Sequence, residues 1–259
     1  TGWHWNGQEA VSNTDSYAHP QASACFIVGI DDTLNSIMDV AKTEAMLFKY
    51  GSGVGCDLTP LRSTREKLAG GGKPSGPISF FTVFDAVASV IKSGGKVRRA
   101  ARMQTLSCDH PDVMAFASCK RLEEAKAQVL IAGGYASDFN GEAYSSVKFQ
   151  STNTSIRGSD AFMDAVENGL DWKTVACGGG PDYEAGATVD VFPASHLMDE
   201  IANGTWVCGD PGMQFSDTIN SWHTCPNTSP INSSNPCSEY MFIDDSACNL
   251  ASINLLKFR

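Results

Sequence analysis

A short apolar run, a capping signal, a helical stripe and a glycine stop follow one another along this chain, and then the order repeats. Cys25-Phe26-Ile27-Val28-Gly29-Ile30 is rich in strand formers and reads as a buried strand. Asp31-Asp32-Thr33 brings side-chain oxygens that can cap a helix. Leu34, Ile37, Met38, Ala41, Ala45 and Phe48 then recur at helical spacing. Gly51-Ser52-Gly53-Val54-Gly55 reads as the stop. Gly70-Gly71-Gly72 and Pro77 lead into a second helix with Phe80, Phe81, Phe84, Val87, Ala88 and Ile91, ending near Gly94-Gly95. Asp109-His110-Pro111-Asp112 is expected to open a third through Val113 and Phe116. Val129-Leu130-Ile131 and Val147-Lys148-Phe149 read as strands. Helices are expected from about Asp160 to Asn168 and from Ser195 to Asn203, each closed by Asn-Gly. Such alternation implies an α/β fold with a largely parallel sheet. No fixed-period repeat, low-complexity tract or linker interrupts it, so residues 1–259 read as one domain.

Composition narrows the function. A formal net charge of −10 opposes binding to a nucleic-acid backbone, so any nucleotide contact must be a local pocket. No apolar run reaches the roughly 20 residues that span a bilayer. The nine cysteines show no small-domain disulfide spacing, which suits a reducing cytoplasm. There is no C-x-x-C pair; His223-Thr224-Cys225 and Cys108-Asp109-His110 are the close Cys/His neighbours, so no metal site is expected. Cys56, Cys119, Cys177 and Cys208 read as packing residues. A start at Thr1 and an apolar tail, Ile253 to Arg259, suggest a piece of a longer protein.

The most informative segment is Asn232-Ser233-Ser234-Asn235-Pro236-Cys237-Ser238-Glu239-Tyr240. Asn235, Cys237 and Glu239 would share one face of an extended strand, whereas a loop bent at Pro236 would turn them towards one substrate. A carboxylate beside a thiol raises the thiol pKa and is poor design for ionic cysteine catalysis. It suits a neutral sulfur radical partnered by a proton-moving Glu239. An ordinary surface turn with an incidental cysteine is the plainer alternative.

Asn-Pro-Cys-Ser-Glu-Tyr resembles the finger-loop motif of ribonucleotide reductase large subunits, most closely the adenosylcobalamin-dependent class. His19 to Ile27 resembles that family's first barrel strand, and Phe48 to Gly55 its next helix end and loop. Lys92 to Ala101 resembles its specificity loop, here carrying Gly94, Gly95, Lys96, Arg98, Arg99 and, just beyond, Arg102. Asp210-Pro211-Gly212-Met213-Gln214-Phe215 and Asp244-Asp245-Ser246-Ala247-Cys248-Asn249-Leu250 also match, in order. The resemblance implies part of a ten-stranded α/β barrel: the first five-stranded half, the finger loop at about 231–240, and the start of the second half.

It also implies roles. Cys237 would carry a thiyl radical, Glu239 would take the 3′-hydroxyl proton, and Asn235 would hydrogen-bond the sugar. Cys25 and Cys248 would be the dithiol that reduces the 2′ position, though both could equally be buried packing residues. Ala24, Cys25, Gly53, Pro236 and Ser238 would line the ribonucleotide pocket. Asp32, Thr33, Leu34 and Arg62 would bind a deoxynucleoside triphosphate effector, although a plain helix cap explains the first three. Adenosylcobalamin, a thioredoxin- or glutaredoxin-type reductant and a homodimer are the implied cofactor and partners, with no nucleic acid or membrane. The family's later substrate-phosphate loop and re-reducing cysteines find no match here, so the piece is expected to be inactive alone. The competing class is a deoxynucleotide-binding regulatory module without chemistry.

Overall fold

The computed structural model describes residues 3–12, 23–91, 100–138, 140–178, 181–250 and 253–258. A small antiparallel hairpin comes first, β1 (Trp3–Trp5) and β2 (Ala10–Ser12). Then β3 (Cys25–Val28) leads to α1 (Leu34–Lys49), β4 (Gly53–Asp57) to α2 (Gly76–Val90), and β5 (Arg102–Ser107) to α3 (Val113–Ala132). The short α4 (Glu142–Ser146) precedes β6 (Thr152–Gly158) and α5 (Asp160–Glu167). An antiparallel hairpin, β7 (Asp171–Val175) and β8 (Thr188–Pro193), runs into α6 (Ala194–Cys208). β9 (Gly212–Phe215) and α7 (Ser216–Ser221) follow. Last come β10 (Ser233–Ser234), β11 (Met241–Phe242), β12 (Ser246–Cys248) and a 3-10 turn, Leu255–Phe258.

The main sheet has the order β12-β3-β4-β5-β6-β9. Its five inner-numbered strands, β3, β4, β5, β6 and β9, are parallel, and β12 lies antiparallel on the β3 edge. The parallel α/β expectation is therefore met. Alternate strand residues face opposite ways. Val54, Cys56, Leu106 and Ile156 point into the core beneath the helices, where they meet Phe48, Phe81, Phe84, Phe116, Phe162 and Leu197. Burying each such side chain contributes about 1.5–3 kcal/mol before entropy is subtracted. The other face receives the 231–240 segment.

Local chemistry explains the helix starts. Thr33 caps α1, its hydroxyl accepting from the Ser36 amide at 3.2 Å. Ser159 caps α5 through the Phe162 amide.

Several expectations fail for identifiable reasons. Gly51–Gly55 is not wholly a stop: Gly51 turns the chain at φ 85°, and β4 begins at Gly53. Val129-Leu130-Ile131 lies inside α3, because a three-residue apolar run cannot separate strand from helix. Val147-Lys148-Phe149 is not a strand either. Asp85 accepts from the Phe149 amide at 2.6 Å, and Phe149, at φ 64°, stacks on Phe81 at 4.1 Å. Asp112 precedes α3, yet its carboxylate is bonded to Thr64, not to the helix. α6 runs past Asn203-Gly204 to Cys208. Gly204 is there for packing, since a Cβ would stand 2.8 Å from the Asp210 carbonyl.

Arg102 is the sharpest correction. It is not a loop cation but the first residue of β5, fully buried and paired at 2.6 Å with the equally buried Glu44 of α1. Its guanidinium also lies 4.7 Å from the Phe84 ring centre. Gly94, Gly95, Lys96, Arg98 and Arg99 lie outside the described residues.

Candidate active site

Three strands bring the expected residues together. Cys25 of β3 is the direct partner of Gly53 on β4 and of Cys248 on β12. The register is fixed by main-chain bonds through Ala24, whose amide donates to the Cys248 carbonyl and whose carbonyl accepts from Gly53. Asp245 helps to seat β12 by accepting from the Gly29 amide at 3.2 Å. The two cysteines carry free thiols and face one another as a register pair across β3 and β12. Burial, then the neighbouring Cys25 and Glu239, push the Cys248 thiol above its ordinary range, so it keeps its proton at neutral pH.

The segment after β10 lies directly on this group. The Asn235 carbonyl accepts from the Ser238 amide at 3.1 Å, closing a β-turn with Pro236 and Cys237 at its centre. Proline at the first central position suits such a turn. So the bent-loop alternative holds, not the extended strand. Cys237 and Glu239 are exposed at the tip, while Asn235 is fully buried. Asn235 Oδ1 accepts from the Tyr240 amide at 3.0 Å, but its Nδ2 has no partner. A buried donor left unpaired is costly, and a ligand acceptor would satisfy it.

Glycine is required beneath the turn. A Cβ at Gly55 would lie 1.7 Å from the Ser234 carbonyl oxygen, and one at Gly53 would meet Pro236 Cγ at 2.7 Å and Cys25 Sγ at 3.4 Å. The loop's own proline and Cys25 thus flank Gly53, so the steric demand there comes first from the protein itself. Gly55→Ala is expected to unseat the 231–240 loop. Limited proteolysis of the full-length protein should then cut within that loop far faster than in wild type, and equal cutting rates would contradict the packing described.

Sequence reasoning missed the side chains that carry this loop. Thr105 Oγ1 lies 3.0 Å from Asp57 Oδ1, 3.2 Å from Ser233 Oγ and 3.3 Å from the Asn232 carbonyl. Asn153 donates to the Pro236 carbonyl at 2.8 Å. Arg157 donates to the Ile231 carbonyl at 2.6 Å and to Gln214 Oε1 at 3.3 Å. Burial pushes the Asp57 carboxyl up to about 6, against hydrogen bonds from Thr59 and Thr105. The available signal was polarity: Thr152-Asn153-Thr154-Ser155 is unusually hydrophilic for an inner strand.

Away from this group, Asp32 and Arg62 form an ion pair at 2.5 Å beside the start of α1, with Leu34 exposed. Thr33 is occupied by its cap. Cys56 and Cys119 are buried in the core, as packing residues should be. No group of three or more His, Cys, Asp or Glu among the described residues could hold a metal ion, and no described helix is long and apolar enough to cross a membrane.

Residues 23–259 match the family described as ribonucleotide reductase, barrel domain. The chain belongs to the ribonucleotide reductase barrel family. A vitamin B12-dependent ribonucleotide reductase of Rhodopirellula baltica is 54% identical over 99% of the chain, and one of Streptomyces avermitilis is 47% identical over 92%. A vitamin B12-dependent ribonucleoside-diphosphate reductase of Mycobacterium tuberculosis is 33% identical over 91%. The chain spans 24% of the first two reductases and 30% of the third. The matched residues contain the whole six-stranded sheet, with its antiparallel β12, and the turn at Cys237.

Proposed function

We propose that the full-length protein reduces ribonucleotides to deoxyribonucleotides by radical chemistry centred on Cys237. The observation that carries this reading is the stacking of the Asn235–Ser238 turn over Gly53, beside two free thiols paired across β3 and β12. A sulfur radical on Cys237 takes the hydrogen from C3′ of the ribose. Glu239 accepts the 3′-hydroxyl proton, help of a kind worth about 10²–10⁴ in rate. The unpaired Nδ2 of Asn235 donates to the sugar. The 2′-hydroxyl leaves as water, with protons and two electrons from Cys25 and Cys248, which become a disulfide. Cys237 returns its hydrogen to C3′, and Glu239 returns its proton to the 3′ oxygen. The net change is one ribonucleotide and two thiols to one deoxyribonucleotide, water and one disulfide.

The exposed thiol of Cys237 fits a cofactor approaching from outside the loop, and Cys237 is the residue of this chain that would face it. Adenosylcobalamin, when bound, supplies the radical equivalent that removes the thiol hydrogen. Ala24, Pro236 and Ser238 line the substrate side. Asp32, Thr33, Leu34 and Arg62 serve a deoxynucleoside triphosphate effector, with the first amides of α1 attracting phosphate. Gly94, Gly95, Lys96, Arg98 and Arg99 relay its identity. A thioredoxin- or glutaredoxin-type reductant restores the dithiol. A homodimer in the cytoplasm is the expected setting, and exposed Leu34, Met38 and Met46 along α1 support association there. The barrel is completed by a second five-stranded half.

The test is to supply the full-length protein with ribonucleotide, adenosylcobalamin and a dithiol, and to look for deoxyribonucleotide. No product with di- or triphosphate substrates would sink the reading. In Cys25→Ser and Cys248→Ser, added thiol reductant should no longer sustain turnover; continued multiple turnovers would remove the dithiol assignment.

A further inference from the structure

We propose that Gln214, held by Arg157, is a positioning residue that fixes the Cys237 turn; this rests on the radical reading above. Gln214 lies on β9, 97% buried, and no role in the chemistry follows from its place in the sequence. A guanidinium can only donate. Arg157 Nη1, at 3.3 Å, therefore requires the amide oxygen of Gln214 to face it, and the amide nitrogen must face the loop. There Nε2 donates to Ser234 Oγ at 2.9 Å and Ser238 Oγ at 3.3 Å. Ser234 in turn donates to the Asn235 carbonyl at 2.9 Å, the same oxygen that closes the β-turn with the Ser238 amide. One amide thus grips both flanks of Asn235-Pro236-Cys237.

The grip acts where the backbone resists. Ser238 adopts φ 63°, a left-handed conformation unfavourable to a residue with a side chain. Such a residue persists only where its surroundings over-determine it. The Gln214 amide on its hydroxyl, and the turn bond on its amide, are those constraints. Cys237 is the residue immediately before it, so release of Ser238 swings the sulfur. Hydrogen abstraction is sensitive to such shifts, since a misplacement of about 1 Å can cost about 10²-fold in rate.

The experiment uses Gln214→Met in the full-length enzyme, which keeps length and removes the donor. Turnover should fall about tenfold to a hundredfold with KM for the ribonucleotide unchanged. The isotope effect on kcat with 3′-deuterated substrate should rise, because the displaced sulfur makes C–H cleavage more nearly rate-limiting. In protein without substrate or cofactor, deuterium exchange of the peptide covering 233–240 should accelerate under conditions where the variant remains folded and unfolds in a single cooperative transition. Ser234→Ala, which removes the nearer acceptor at the loss of one oxygen, should show the same pattern and serves if Gln214→Met does not fold. Unchanged turnover and isotope effect in a folded variant overturn the inference. An inactive wild type overturns the functional reading instead, and this inference with it.

Discussion

Cys237→Ser in the full-length enzyme should reduce deoxyribonucleotide formation to background while nucleotide binding survives. Serine is nearly isosteric, and position 237 is exposed at a turn tip, so the fold has little reason to notice. The chemistry has every reason: an O–H bond holds its hydrogen far more strongly than S–H, and an oxygen radical is not reached by the same route. The loss should resemble removal of a nucleophile from a catalytic unit, where the remaining groups contribute little without it. Product chromatography and calorimetric titration with ribonucleotide provide the two readouts. Residual turnover above background would take the radical off Cys237, and lost binding would mean that the variant has disturbed the pocket.

Glu44→Leu should be the most destabilising single change outside the site, at about 3–5 kcal/mol, because it strands a buried Arg102. The pair lies between α1 and β5, both side chains at zero exposure. Glu44 Oε2 and Arg102 Nε and Nη1 have no hydrogen-bond partner, so the ion pair is the main compensation for burying this charge. The measurement belongs at pH 8. Burial raises the Glu44 carboxyl to about 7, against the pull of Arg102, so the pair is fully ionised only above that value. The sign follows from proton binding. Between about 4.5 and about 7 the folded protein holds a proton that the unfolded chain has released, so this group's contribution falls as pH rises through that window. Denaturant midpoints of wild type and variant at pH 8 test the size. Adding Arg102→Met should recover much of the loss, and a double variant no better than Glu44→Leu would refute the stranded-charge account.

The parts legible in the sequence were those with local causes. The apolar period of α1 and the cap at Thr33 depend on near neighbours and read correctly, whereas the segment at Pro236 read equally as strand or bent loop until the Ser238–Asn235 bond decided it. Asn235, Cys237 and Glu239 could be singled out because one short segment holds all three, but their split into one buried and two exposed side chains could not. The β7–β8 hairpin was not legible, since Trp172 and Phe192 earn their places by tertiary contact. Arg102 was misread for the same reason: a basic residue beside other basic residues looks solvated, and only Glu44, far away in sequence, reverses that. Val129 deceived in the opposite way, an apolar residue that stays largely exposed on α3. The supports of the loop, Thr105, Asn153, Arg157 and Gln214, come from three different strands. No window of the sequence contains them.

The antiparallel pairing of Cys25 with Cys248 has a thermodynamic consequence of its own. A bond between these two residues would join the first and last strands of the sheet in sequence, neighbours at one edge, and close a ring of more than 220 residues. Ring closure removes conformations from the unfolded ensemble, and more of them as the ring grows. The oxidised protein should therefore resist heat better than the reduced one, provided the bond forms without strain. Oxidation of the pair would tighten the fold and reduction would slacken it, so melting temperature would read out the redox state of these two cysteines.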